Sequence, residues 1–197
     1  MRRIIFASQN KGKVKEVVQI LNGLNIEIIS LADMNDQIEI IEDGDSFEAN
    51  ALIKAKQVYN KFKLPTIADD SGLVVDQLKG APGIYSARYA GEDGNDKANN
   101  KKLLDELKNY PAPHIAKFVC AAVFYDGQEH HTGVGEFKGK IIDEEKGSYG
   151  FGYDPLFVPD GYSITSAEMK PGLKNSISHR FNAFNQLKKN LVDELPD

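Results

Sequence analysis

Five short stretches hold the residues whose types and spacing could do chemistry. "IADDSG" (67–72) brings an apolar run onto two adjacent aspartates, Asp69 and Asp70, followed by Ser71 and Gly72. Side chains alternate between faces along a strand, so the two acids cannot share a site, and an acidic turn is the competing reading. "EIIEDGDSFEAN" (39–50) supplies Glu39, Glu42, Asp43, Asp45 and Glu48. Hard cations such as Mg²⁺ take oxygen ligands, commonly one or two carboxylates completed by substrate phosphates. A solvated loop with helix-capping acids accounts for the same residues.

"SQNKGK" (8–13) sets Ser8, Gln9, Asn10, Lys11, Gly12 and Lys13 at the opening of a helix. Free N–H groups and a partial positive charge at a helix N-terminus suit phosphate. The stretch is neither a Walker A loop nor a GxGxxG turn, and a plain connection with solvated lysines explains it equally well. Lys54 follows Asn50 by one helical turn, on the border of a buried stripe. From there a lysine reaches a ligand or snorkels into solvent.

"GFGYDP" (150–155) presents Phe151, Tyr153 and Asp154 on a backbone made permissive by Gly150 and Gly152. One ring to stack on and one carboxylate to accept N–H groups would suit a heterocyclic base; a tight turn ending at Pro155 is the alternative. "KNSISHR" (174–180) clusters Lys174, Ser178, His179 and Arg180 near a predicted helix N-terminus, the end that disfavours cations. A bound anion or surface charge would account for the cluster. Together, a cationic turn, an acidic loop, an acidic strand end and an aromatic–acid loop look like a Mg²⁺-dependent nucleotide site.

Positioning these residues takes a particular set of elements. "RRIIFAS" (2–8) reads as a buried strand, "VKEVVQILNGL" (14–24) as a helix and "IEIISL" (26–31) as a second strand, expected parallel to the first with a right-handed crossover. A helix is predicted over 47–62, with Phe47, Ala51, Ala55, Val58 and Phe62 in one stripe and Asp45 with Glu48 as a capping arrangement. The acidic stretch is the third strand. A polar helix over 95–110, two long strands joined by a type I′ turn at Asp126-Gly127, and a last helix over about 177–195 complete the chain. On that last helix, Phe181, Phe184, Leu187 and Leu191 share a face. Parallel units plus an antiparallel hairpin imply a mixed sheet in an α/β protein.

Composition excludes several function classes. The 197 residues are 41% hydrophobic and 27% charged, which fits a folded domain rather than a disordered chain. A formal charge of −5 argues against nucleic acid as a partner. No apolar run approaches the roughly 20 residues of a membrane helix. The single cysteine, Cys120, excludes an internal disulfide and a CxxC metal site. The basic start "MRRIIFASQN" lacks the apolar length and cleavage site of a signal peptide, so a soluble cytoplasmic protein is expected.

Six motifs in one order, "SQNKGK", "EDGDSFEANALIKA", "IADDSGL", "GAPGIYSARYAG", "GFGYDP" and "SISHR", span Ser8 to Arg180. The chain resembles the inosine triphosphate pyrophosphatase family, whose members hydrolyse ITP, dITP and XTP to monophosphate and pyrophosphate and so cleanse the nucleotide pool. The resemblance implies a single nucleotide-hydrolysing domain over 1–197: an α/β fold with a long mixed twisted sheet flanked by helices, two lobes and a central cleft. It also implies Mg²⁺, a purine nucleoside triphosphate substrate and a homodimer. By the same resemblance the turn Ser8 to Lys13 binds substrate, with Ser8, Asn10, Lys13 and Lys54 on phosphate; Glu42 and Asp70 bind metal, Asp70 is the catalytic aspartate and Ser71 contacts substrate. Phe151, Gly152, Tyr153, Asp154, Lys174, His179 and Arg180 correspond to the base-recognition set, and Asp69 is left to supporting hydrogen bonds. Many relatives have Gly rather than Gln at position 9, and "MKPGLKN" departs from the usual charged helix. The rival readings are a Maf-like pyrophosphatase for pyrimidine or modified triphosphates, and a nucleotide-binding sensor without catalysis.

Overall fold

The computed structural model describes residues 2–34, 38–91 and 94–194. The described strands are β1 (Arg2–Phe6), β2 (Ile26–Ser30), β3 (Thr66–Val75), β4 (His114–Tyr125), β5 (His130–Ile141) and β6 (Phe157–Pro159). They form one sheet in the order β2-β1-β3-β4-β5-β6. β1 pairs in parallel with β2 and β3, and β5 pairs antiparallel with β6, so the sheet is mixed as the sequence implies. The helices are α1 (Lys11–Ile20), α2 (Phe47–Phe62), α3 (Asp96–Leu107), α4 (Pro171–Ile177) and α5 (His179–Glu194). No described helix is long and apolar enough to cross a membrane.

The chain divides into two compact units. The first comprises Met1–Asp70, Cys120–Gly135 and His179–Asp197, the second Ser71–Val119 and Glu136–Ser178. In the first, strand alternation builds two cores. Ile4, Phe6, Ile67, Cys120, Ala122 and Phe124 point toward Val17 and Ile20 of α1 and Phe184, Leu187 and Leu191 of α5. Ile5, Ala7, Ala68, Ala121 and Val123 point the other way, onto Ala51, Ala55 and Val58 of α2. The period-2 pattern therefore sorts each strand's side chains between an α1/α5 face and an α2 face. The second unit has its own core of Leu73, Val75, Leu103, Leu107, Phe118, Phe137, Leu156 and Phe157.

Helix α5 comes close to β5 because that strand carries Gly133 and Gly135 on one face. A Cβ on either would overlap backbone of α5, at Ala183 or His179. Without those side chains the helix start lies on the strand, which brings Arg180 within reach of β3.

Several local expectations are corrected. The N-cap of α2 is Ser46, whose hydroxyl accepts from the Ala49 N–H at 3.2 Å; Asp45 precedes the cap. The hairpin connection is not type I′, which needs positive φ at both central residues. In it Gly127 has φ +104° but Asp126 does not, and the Asp126 carboxylate instead caps the N–H groups of Gln128 and Glu129 at 2.8 and 2.9 Å. Finally, Pro171 starts a separate short helix, so Lys174 lies in the last turn of α4, where the helix dipole favours a cation.

Candidate functional site

The paired aspartates end the first unit's share of β3, and alternation sends them to opposite faces. Asp69, 1% exposed, points with Ile67 toward α1 and α5. Its Oδ2 accepts from Arg180 Nε at 3.2 Å and Nη2 at 3.1 Å, and lies 3.3 Å from Lys13 Nζ. Arg180 is itself fully buried and turns Nη1 to Glu16 Oε2 at 2.5 Å. The group is formally two anions and two cations. Burial opposes the Asp69 charge, but Lys13 and Arg180 outweigh it and hold the carboxyl well below the usual aspartate range. The Arg180 pKa is raised: burial works against its charge and is overcome by Asp69 and Glu16.

Asp70 points with Ala68 toward α2. Asn50, buried on that helix, donates from Nδ2 to Asp70 Oδ2 at 3.1 Å and accepts the Gly44 N–H on its Oδ1 at 2.8 Å. One amide thus joins the acidic loop to the strand end. Gly44 must lack a side chain, because a Cβ there would lie 2.8 Å from both Ala49 Cβ and Asn50 Oδ1. Gln57 fixes the same loop two helical turns on, bonding the N–H and C=O of Ile41 at 3.2 and 2.7 Å. Glu42 Oε1 meets Lys54 Nζ at 2.8 Å, and that ammonium also donates to the Asp69 carbonyl at 3.1 Å.

Here Glu42 and Asp70 both act on Lys54, and Lys13 acts on Asp70 as well. Burial, together with the Glu42 charge, pushes the Asp70 carboxyl above its ordinary value against the pull of Lys54 and Lys13. Burial works to lower the Lys54 pKa, yet Glu42, Asp69 and Asp70 overcome it and leave the pKa raised. Glu42 and Asp70 could hold a divalent cation. The fit rests on the donor set, two carboxylates whose oxygens suit a hard divalent cation. A perturbed acid such as Asp70 is a mark of functional sites.

The turn "SQNKGK" has partly satisfied its own amides. Asn10 caps α1, its Oδ1 accepting from Gly12 N at 2.9 Å and Lys13 N at 3.1 Å, while Ser8 Oγ accepts from Asn10 N at 3.2 Å. Gln9 and Lys11 are exposed, and His179 is buried as the first residue of α5.

The second unit holds Ser71, half-buried on β3, and the loop Phe151, Gly152, Tyr153 and Asp154. Asp154 Oδ2 accepts from the Phe151 N–H at 3.0 Å and from Lys174 Nζ at 2.5 Å. The same ammonium lies 5.1 Å from the centre of the Phe151 ring, a cation–π distance. Tyr153 is buried and donates its hydroxyl to the Ser86 carbonyl at 2.8 Å. The expected base-recognition residues therefore fall into two groups: Phe151 to Asp154 with Lys174 in the second unit, and His179 with Arg180 in the first. In the sequence reading Asn50 and Glu16 have no role. Their signal was a polar residue among apolar positions at helical spacing, Asn50 beside Ala51 and Glu16 between Val14 and Val17.

Fold and site residues together define the class. The chain belongs to the Ham1 family, whose model matches residues 4–190. Among its relatives, the dITP/XTP pyrophosphatase of Oceanobacillus iheyensis is 47% identical, over 96% of this chain and 98% of the relative. The dITP/XTP pyrophosphatase of Geobacter sulfurreducens is 48% identical over 97% of each chain. The structure of a HAM1 protein from Coxiella burnetii has TM-score 0.88 at 36% identity, covering 98% of this chain and 100% of that one.

Proposed function

We propose that the protein hydrolyses the non-standard purine nucleoside triphosphates ITP, dITP and XTP to monophosphate and pyrophosphate. Mg²⁺ is the cofactor, the cytoplasm the location and a homodimer the assembly in this reading. The observation that carries it is Asp70, a raised, buried carboxyl beside Glu42 and Lys54. Family membership and the names of close relatives support the substrate class.

In the reaction, water attacks the α-phosphorus, the bond to the bridging oxygen breaks, and pyrophosphate leaves. Asp70 orients that water and takes its proton, a task suited to a carboxyl whose pKa lies above the usual range. Lys54 and Lys13 supply positive charge for the leaving group. Mg²⁺ held by Glu42 and Asp70 would supply further neutralisation of the phosphate oxygens. Phe151 offers a stacking face, and Lys174, with donors only, donates to a keto oxygen at C6 and mismatches the adenine amino group. Sites built on such matching reject the wrong partner by up to roughly 10⁴–10⁵. Arg180 could join this set only by leaving Asp69 and Glu16.

The test is incubation with ITP, XTP, GTP, ATP and TTP plus Mg²⁺, reading phosphate with and without inorganic pyrophosphatase. Phosphate from ITP and XTP only with the coupling enzyme is the expected result. Release without it would mean a phosphatase, preference for TTP a Maf-like enzyme, and no release a binding protein. Activity should vanish when EDTA replaces Mg²⁺.

A further inference from the structure

Helix α3 is polar by composition, yet Asn99 and Asn100 on it are buried, 2% and 3% exposed. Burying an amide costs free energy unless it is hydrogen-bonded, so each needs an occupation. Asn99 holds the "SARYAG" turn: its Oδ1 accepts from Ala90 N at 2.7 Å and its Nδ2 donates to Ala87 O at 3.0 Å. Asn100 donates from Nδ2 to Glu145 Oε1 at 2.8 Å and to the Gly152 carbonyl at 3.3 Å. One turn earlier on the same face, Asp96 Oδ2 accepts the Gly152 N–H at 2.7 Å. Both backbone groups of one residue are thus gripped by one helix. That residue has φ +62°, a left-handed conformation that glycine adopts without strain.

We propose that Asp96 and Asn100 are specificity-determining positioning residues, which clamp Gly152 so that the adjoining Phe151 ring and Lys174 ammonium stand at the spacing that reads the base. Gly152 lies between the stacking ring and Asp154, which orders Lys174. Two peptide groups fixed from α3 fix the ring's height, and Tyr153 bonded to Ser86 fixes the other side of the same peptide. A loosened Gly152 lets ring and ammonium drift apart, which weakens base discrimination without touching the acids that act on phosphate. Misplacement of a reactant by about 1 Å can cost on the order of 10²-fold, so a partial loss of the clamp has room to show.

The inference rests on the pyrophosphatase reading above. Asp96 is exposed, so Asp96→Ala leaves the core intact. In the wild-type chain and this variant, kcat and KM are measured for dITP and dATP. The expected result is a dITP KM about tenfold higher with kcat within about twofold, and a dITP-over-dATP preference about tenfold lower, the size of one lost charge-assisted hydrogen bond. Asp96→Asn keeps an oxygen acceptor for the Gly152 N–H and should restore most of the preference. Asn100→Asp, which turns a donor into an acceptor against the Gly152 carbonyl, should lower it again. An unchanged preference in Asp96→Ala, or a loss confined to kcat, overturns the clamp. A wild-type chain with no preference for dITP would instead overturn the pyrophosphatase reading itself.

Discussion

Asp69 and Asp70 are neighbours on one strand and ended up in opposite electrostatic worlds. On the α1/α5 side, Asp69 closes a neutral set with Lys13, Arg180 and Glu16, and its carboxyl is held far down. On the α2 side Glu42 pairs with Lys54, and burial with the Glu42 charge pushes the Asp70 carboxyl up against the pull of Lys54 and Lys13. The difference teaches that burial by itself does not decide what an acid does. Both are desolvated; the cations around Asp69 outweigh its burial, while at Asp70 burial prevails.

The largest effect should come from the Asp70 side. Asp70→Asn removes the proposed base and should lower kcat on ITP about 10²–10⁴-fold at saturating Mg²⁺, read in the coupled phosphate assay. A variant with wild-type kcat would end the role given to Asp70. The Asp69 side should break differently. Arg180→Ala leaves Asp69 and Glu16 as buried charges without their guanidinium and should cost about 3–5 kcal/mol, measured by urea unfolding. An exposed pair such as Lys101–Asp105 is the contrast, and its removal should leave the urea midpoint nearly unchanged.

The comparison sharpens at Asn50, which belongs to the Asp70 side but acts as structure. Asn50→Ala strands the Gly44 N–H and loosens Glu42 together with Asp70, so stability should fall by about 1–3 kcal/mol. Activity should fall with it, and the dependence on Mg²⁺ concentration should shift to higher values. Stability loss with an unchanged Mg²⁺ requirement would separate Asn50 from the acids it joins.

How much of this was legible from sequence divides along the same line. Helix α2 over Phe47–Phe62 and strand β3 follow from local periodicity, and alternation alone separated the two aspartates. The partners that decide their chemistry were not legible. Arg180 lies more than a hundred positions from Asp69 and Glu16 further still, and nothing in a local pattern encodes that meeting. It depends on Gly133 and Gly135 admitting α5 against β5. The short helix α4 was hidden because its seven residues are too few for a periodic stripe. The buried face of α3 was hidden because its polar residues look like solvent-facing ones until Gly152 and the "SARYAG" turn are brought against them.

The smallest effect, and the one most specific to the comparison, is the pH dependence of stability in the metal-free protein. Asp70 has a folded pKa above its unfolded value, so its contribution is fully present below the unfolded pKa and is lost as pH rises through the folded one. Asparagine does not ionise, so Asp70→Asn should melt higher than wild type at neutral pH, with the gap closing as pH falls to about 4, near the unfolded pKa. Asp69 has the opposite sign: its folded pKa is depressed, so its contribution is present above the unfolded pKa and lost as pH falls through the folded one. Asp69→Asn should therefore melt lower than wild type at neutral pH, and its deficit should begin to shrink only below about pH 4. Melting curves of the three proteins between pH 3 and 8 measure both gaps. Two neighbouring residues, changed in the same way, should move Tm in opposite directions. Equal shifts of one sign would mean that the cations around Asp69 do not compensate its charge any better than Lys54 and Lys13 compensate that of Asp70.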